Sequence, residues 1–345
     1  MPVEYPYWLY PSPSSAPAGN TNFVAFSPNG LNIGLAHATT PFVTAYAFST
    51  STGFGAKFSN PGTLPASTGN AIAWSPSGAV VAVAHTTTPF VSVYPWSDST
   101  GFGTKFSNPA SLPVNTTNGV AFSPNGAAIA ISSSGSPYIH GYPWSDSTGF
   151  GTKFSNPGTT PINATDLAFS PNGNVIAVPN GLGCYVYPFN SSTGFGTKFS
   201  DPSGGFSGGG NKAVFSPSGT SLILAHNNSP YISAWPWDDG TGFGTKFSNP
   251  STLPTANGLS VTFTTDGKYI LLVQNTTPRV LMYAWDDSSG FGDQQNVTTV
   301  TISSGTEIAP HPLGVGFALA TGAATVAAYM KLNIRNRGII RMGGL

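Results

Sequence analysis

Charge is the scarcest commodity in this chain. Of its 345 residues only 7% are Asp, Glu, Lys or Arg, against about one quarter in an ordinary soluble domain. A surface built without charge must be rich in hydroxyls and amides, which suits a particle component or a sugar-facing protein better than a metabolic enzyme. Cysteine is almost absent as well. The single Cys184 can form no internal disulfide and lies in an apolar run where a buried thiol is the default, so stability has to come from packing. No run approaches the roughly 18 apolar residues of a membrane span. The opening Met1-Pro2-Val3-Glu4-Tyr5 shows no basic region followed by an apolar one. Neither export nor membrane insertion is expected, and Asn115-Thr116-Thr117 and Asn163-Ala164-Thr165, which match the glycosylation pattern, read as loop composition.

The formal net charge is zero, yet Lys331, Arg335, Arg337 and Arg341 place four of the 12 basic residues near the C-terminus. These four could dock on an acidic partner or could simply solvate a last strand. No basic stripe with interleaved aromatics crosses the body, so nucleic acid is not an expected partner.

What the chain has instead is repetition, with 42 glycines and 31 prolines punctuating it. Phe122-Ser123-Pro124-Asn125-Gly126, then Tyr142-Pro143-Trp144-Ser145-Asp146, then Gly149-Phe150-Gly151-Thr152-Lys153-Phe154-Ser155-Asn156-Pro157 is one copy of a unit that recurs along the sequence. Its opening aromatic returns as Phe26, Trp74, Phe122, Phe169, Phe215, Phe263 and, more faintly, Phe317, in steps of 48, 48, 47, 46, 48 and 54. A period of about 40–50 residues marks propellers and solenoids.

Within the unit, Asn118 to Phe122 is a short strand and Ser123-Pro124-Asn125-Gly126 a tight turn, with Pro fixing φ and Asn-Gly accepting φ above zero. Ala127 to Ile131 and its counterpart Val80 to Ala84 are apolar without alternation, as strands buried on both faces are. Pro137 to Tyr142 alternates as a third strand. Thr152-Lys153-Phe154 makes a brief fourth, with Lys57, Lys105, Lys153, Lys198 and Lys246 marking it as the protected outer edge. Asp98, Asp146, Asp238 and Asp286 precede the same turn and could pair with those lysines. Sheets of this kind, apolar on both faces, need a neighbour on each side, which a radial arrangement supplies. The fold class expected is therefore all-β: a seven-bladed β-propeller with four antiparallel strands per blade. Residues 1–17 would close the last blade, 18–312 form blades one to six, and 313–345 supply the remaining strands and a basic tail.

Phe-Ser-Pro-Asn-Gly followed by a buried strand and a Trp-x-Asp ending resembles the WD-repeat propellers. It departs from them in lacking the Gly-His pair and in reading Tyr-Pro-Trp-Ser-Asp where they have Trp-Asp. The Gly-Phe-Gly-Thr-Lys-Phe-Ser-Asn-Pro run, with near copies at 53–61, 101–109, 194–202 and 242–250, is more similar to the repeats of WD-like propellers encoded by tailed bacteriophages. That resemblance implies a virion component. The reading adopted from it is a tail-associated or capsid-surface protein whose expected partners are other virion proteins and, where it also attaches to the host, a surface glycan.

The repeated Trp96, Trp144, Trp237 and Trp285 would serve either as inter-blade core or as a ring of sugar-stacking platforms. By analogy with WD propellers, the loops after the second strand share one face with the connections between blades. His37, Thr39, His85, Thr87, Ser133, Asn180, His226, Asn227 and Asn275 are the candidate ligand-binding residues there, with ordinary solvated loops as the alternative. Ser132, Pro179 and Gln274 are aligned with the three histidines, which are too scattered for a metal site. Adjacent Asp238-Asp239 and Asp286-Asp287 lack a histidine at useful spacing. With no nucleophile elbow and no phosphate loop, neither catalysis nor a cofactor is expected. A soluble lectin recognising cell-surface glycans is the second hypothesis, and the odd last blade with Lys331, Arg335, Arg337 and Arg341 is the expected docking surface.

Overall fold

The computed structural model describes residues 7–295, 297 and 305–331. Their 28 strands form seven sheets of four antiparallel strands each. There is no helix among the described residues. The fold is a seven-bladed β-propeller.

Blade three shows how the sequence dictates a blade. Its strands run Thr117–Phe122, Ala128–Ser133, Ile139–Ser145 and Gly149–Phe150, hydrogen-bonded in that order from the channel outward. The second strand is buried at every position, as are Val80–His85, Val175–Asn180 and Ser221–His226. A run of β-branched and small apolar residues without alternation fits only where both faces meet a neighbouring sheet. The turn after the first strand is fixed by Gly126, which is at φ 70 and donates its amide to the Ser123 carbonyl at 2.8 Å. Asn125 is not itself in the left-handed region. Its Oδ1 accepts from Ser123 Oγ at 2.7 Å and from the Ala127 amide at 3.1 Å. The outer strand is as short as two residues in four blades, the length that best protects an edge.

The core lies between blades. Seven apolar clusters each join two adjacent blades; one packs Ala82 and Val93 of blade two on Ile129 and Tyr142 of blade three. The repeated tryptophans belong to this core: Trp96 is 7% exposed and Trp144 5%. Trp144 meets Phe106, Phe122 and Phe150 edge-on at 5.2, 5.4 and 5.0 Å.

The ring is closed by both ends of the chain. Tyr7–Leu9 pairs antiparallel with Val326–Lys331 as the outer strand of blade seven, Tyr7 opposite Lys331. The Tyr10 amide bonds the Ala328 carbonyl at 3.0 Å, as the Phe106 amide bonds Val93 at 2.9 Å. One boundary moves. The innermost strand of blade seven is Glu307–Pro310, followed by Gly316–Ala320, so the last blade begins inside the stretch assigned to blades one to six. Pro310-His311-Pro312-Leu313-Gly314 takes the place of Phe26-Ser27-Pro28-Asn29-Gly30. His311 N bonds Gly316 O at 2.8 Å and Gly314 N bonds His311 O at 2.9 Å, matching Ser27 N to Asn32 O at 2.9 Å and Gly30 N to Ser27 O at 2.8 Å. Counted to Pro310 the last step is 47 residues (263 to 310). The apparent 54 came from an aromatic, Phe317, that belongs to the second strand.

Candidate functional site

Four of the nine loop candidates stand in solvent: Thr39, Thr87, Asn227 and Asn275 are exposed. The other five, His37, His85, Ser133, Asn180 and His226, are all 0% exposed, which removes them from any ligand-accessible surface. They are the last residues of the second strands, where the ladder turns their side chains into the blade. Thr21 faces His37, Gly69 faces His85, Thr117 faces Ser133 and Gly210 faces His226. That register also makes Ser133 and Asn180, not Ser132 and Pro179, the equivalents of the histidines.

Each of these three histidines has a hydroxyl partner seven residues away. His37 Nε2 lies 2.9 Å from Thr44 Oγ1, His85 Nε2 3.2 Å from Ser92 Oγ, and His226 Nε2 3.0 Å from Ser233 Oγ. Blade three holds the same pair with its ends exchanged, His140 Nε2 being 3.1 Å from Ser133 Oγ. Burial pushes His85, His140 and His226 down to about 4, and His37 in the same direction. These imidazoles are neutral at pH 7, and they serve the blade. The signal was in the text: His-x6-Ser or Thr in three blades and Ser-x6-His in a fourth.

The exposed residues crown the face where loops meet inter-blade connections. Thr39 Oγ1 donates to the Ala18 carbonyl at 3.0 Å, Thr87 Oγ1 to Ser67 Oγ at 2.9 Å, and Asn227 Oδ1 accepts from Asn211 Nδ2 at 2.7 Å. Beside them Val114, Ile162 and Leu182 are 48%, 50% and 57% exposed. The Gly181 amide bonds the Ile162 carbonyl at 3.1 Å, which sets the last two side by side. This face is thus neutral, with hydroxyls and amides around part of the rim and apolar groups at blades three and four.

Lining the channel is a ring of inter-blade hydrogen bonds. Asn22, Asn70 and Asn118 donate Nδ2 to the carbonyls of Gly69, Thr117 and Ala164 at 2.9, 2.8 and 2.7 Å. Thr165 bonds Gly210 O at 2.8 Å and Asn211 bonds Gly258 O at 2.7 Å. Thr306 reaches Thr21 O at 3.1 Å, joining the last blade to the first. Leu259 stands in the remaining place.

The next position along each inner strand, or in blade four just ahead of it, holds the residues that sequence analysis missed: Phe23, Ala71, Gly119, Asp166, Lys212, Ser260 and Glu307. Lys212 of blade five reaches Asp166 of blade four and Glu307 of blade seven, both at 2.8 Å. Its ammonium also sits 4.4 Å above the ring of Phe23 in blade one. The channel is bridged at this level. A Cβ at Gly119 would come within 2.5 Å of Asp166 Oδ1 and 2.9 Å of Ser132 Oγ, so a side chain there would displace the carboxylate. Burial alone would lower the Lys212 pKa, but the two carboxylates outweigh it and hold the ammonium above its ordinary range. Burial pushes Glu307 up to about 7 against the pull of Lys212. The sequence signal was a single position, small in three blades, that carries a cation and two anions in three others.

The outer aspartates do not pair with the lysines. Asp98 Oδ1 accepts from Trp96 Nε1 at 3.0 Å, and Asp98 Oδ2 from Asn29 Nδ2, in the preceding blade's turn, at 2.7 Å. Asp146, Asp239 and Asp287 make the same clasp to Ser77, Asn172 and Ser218. In the Asp-Asp pairs it is therefore the second aspartate that clasps, while Asp238 and Asp286 accept from turn amides. Lys105, Lys153 and Lys246 bond Asn108, Asn156 and Asn249 instead. Of the docking candidates, Lys331 ends the strand Val326–Lys331, and Arg335, Arg337 and Arg341 lie outside the described residues.

No family model and no curated protein matches the chain. Among solved structures it is similar to Kuenenia stuttgartiensis hydrazine synthase, at 12% identity with a TM-score of 0.69, over 93% of this chain and 97% of that one. At that identity the likeness shows the propeller fold alone.

Proposed function

We propose that this propeller is a non-enzymatic binding protein of a tailed-phage particle, tail-associated or on the capsid surface, that docks on other virion proteins and attaches to host-surface glycan. The observation that supports binding is the loop face itself. Thr39, Thr87, Asn227 and Asn275 present uncharged hydrogen-bonding groups to solvent from four blades, on loops whose shape is repeated. The Phe42, Phe90 and Tyr231 amides close these turns onto Thr39, Thr87 and Asn228 at 2.7, 2.7 and 2.6 Å. A rigid ring carrying exposed polar loops is a binding platform. The phage assignment rests on the Gly-Phe-Gly-Thr-Lys-Phe-Ser-Asn-Pro repeats. Exposed Val114, Ile162 and Leu182 add apolar area for docking a protein partner at the same face.

A free-standing glycan-binding lectin is the second reading, favoured by the same hydroxyls and amides. One experiment tests both: labelled protein against intact cells and a glycan panel, alongside fractionation of particles. Copurification with particles together with saturable binding lost on joint replacement of Thr39, Thr87, Asn227 and Asn275 by Ala is the expected result. Sugar-competed binding without copurification would leave the lectin, and neither would overturn both.

A further inference from the structure

The channel opens on the face opposite the loop rim into a cavity of about 390 Å³, within the roughly 300–1,000 Å³ of small-molecule sites. It is off-centre. Its walls are Phe26 of blade one, Phe215 and Pro217 of blade five, Thr262 and Phe263 of blade six and Pro310 of blade seven. Three of these blades, one, five and seven, also contribute to the Lys212 bridge, whose fourth member, Asp166, belongs to blade four. Val214, also in the lining, follows Lys212 by two residues on the same strand, and Thr262 follows Ser260 likewise. Each pair is one pleat apart, about 7 Å. The bridge therefore lies about one pleat deeper in the channel than the residues that line the cavity.

The bridge carries two carboxylates against one ammonium. The Asp166 and Glu307 side chains are 9% and 7% exposed and share Lys212, leaving one negative charge in a site shielded from water. An unbalanced buried charge is costly and draws a counter-ion. Burial, and after it the charge of Asp166, pushes the Glu307 carboxyl up to about 7 against the pull of Lys212, so a second cation beside it would favour its ionised form. The Phe23 face, already 4.4 Å from one ammonium, favours positive charge above it.

We propose that the channel mouth opposite the loop rim is a binding site for a small apolar amine, its hydrocarbon part held between the phenylalanines and prolines and its ammonium received at the Glu307 and Asp166 carboxylates. The site is independent of the loop face and of the phage reading.

The test is isothermal titration of the full chain with n-hexylamine, 1-hexanol and hexanoate. Hexylamine should bind once per chain, the alcohol about tenfold or more weaker because it brings no charge to the carboxylates, and hexanoate not at all. Glu307→Gln should cut amine affinity about tenfold while leaving that of the alcohol unchanged. Val214→Trp should fill the mouth and abolish both, with circular dichroism confirming the fold. Should that variant fail to fold, the ligand series and Glu307→Gln decide. Equal binding of amine and alcohol, an unchanged amine affinity in Glu307→Gln, or no saturable heat with hexylamine would each overturn the proposal.

Discussion

The histidine pairs and the Lys212 bridge are both buried and polar, yet they follow opposite rules. The first is a neutral pair set in four blades, and in blade three its members trade places without loss of the hydrogen bond. The second occurs once, places three charges beside a channel, and depends on Asp166, Lys212, Glu307 and Phe23 from four different blades. Neutral pairs tolerate copying because each forms within one blade and adds no net charge to the interior. A charge cluster copied seven times would bury net charge that nothing could offset. What recurs in this ring holds it together, and what appears once is where its chemistry differs from scaffold.

The two networks should separate most sharply with acid. His85, His140 and His226 are held at about 4 in the fold, below the ordinary histidine value near 6.5. The stability they lend is present above about pH 6.5 and is lost as pH falls through their folded value, by roughly 3 kcal/mol each at most. Glu307 works in the other direction. Raised to about 7, it stabilises the fold most when protonated, and that contribution is lost as pH rises through 7. Denaturant midpoints should therefore fall steeply below pH 6 and slip by about 1 kcal/mol between pH 6.5 and 8. In Glu307→Gln the alkaline slip should vanish and the acid fall persist. Identical pH profiles for the two proteins would refute the assignment.

At fixed pH the charged network should be the more brittle. Lys212→Met leaves two carboxylates buried without their cation and should cost about 3–5 kcal/mol, read from urea unfolding at pH 7.5. Adding Asp166→Asn and Glu307→Gln to the same chain should recover most of it. Ser92→Ala, which orphans one neutral imidazole, should cost only about 1–3 kcal/mol.

A smaller effect tests exchangeability itself. His85→Ser and Ser92→His should each destabilise blade two, and the double variant, which reproduces the arrangement of blade three, should recover at least half the summed loss. Strict additivity would mean that the two side chains are not energetically coupled.

These contrasts also mark what was legible in the sequence. The blades, their strand order and the closing strand followed from a period and a turn, because Phe-Ser-Pro-Asn-Gly and the continuous apolar run act locally. The seventh copy was misplaced because Pro310-His311-Pro312-Leu313-Gly314 keeps the turn's hydrogen bonds while losing its aromatic and its asparagine. Five loop-face candidates proved buried because a terminal strand residue and a first loop residue look alike in a string; only the register, His85 opposite Gly69, separates them. The Lys212 bridge stayed hidden for another reason. Its members lie far apart in sequence, and nothing local to Asp166 or Glu307 announces that they share a cation.

The inner ring of amide bonds offers the mildest test, since one junction lacks its bond by composition alone. Leu259 occupies the place held by Asn22, Asn70, Asn118 and Asn211, and Gly305, two residues before Glu307 as Gly258 is before Ser260, holds the position of the accepting carbonyl in the next blade. Leu259→Asn should bring Nδ2 to that oxygen. An intramolecular hydrogen bond is worth about 0.5–1.5 kcal/mol net, but Leu259 also packs on the cluster between blades six and seven, so part of the gain is offset. A rise of about 0.5 kcal/mol in unfolding free energy is expected. The reverse change, Asn70→Leu, leaves the Thr117 carbonyl without its donor and should cost about 1–3 kcal/mol. If both substitutions destabilise equally, the junction between blades six and seven is closed by packing, and the ring of side-chain-to-carbonyl bonds, four from asparagine amides and two from threonine hydroxyls, is a feature of the other six alone.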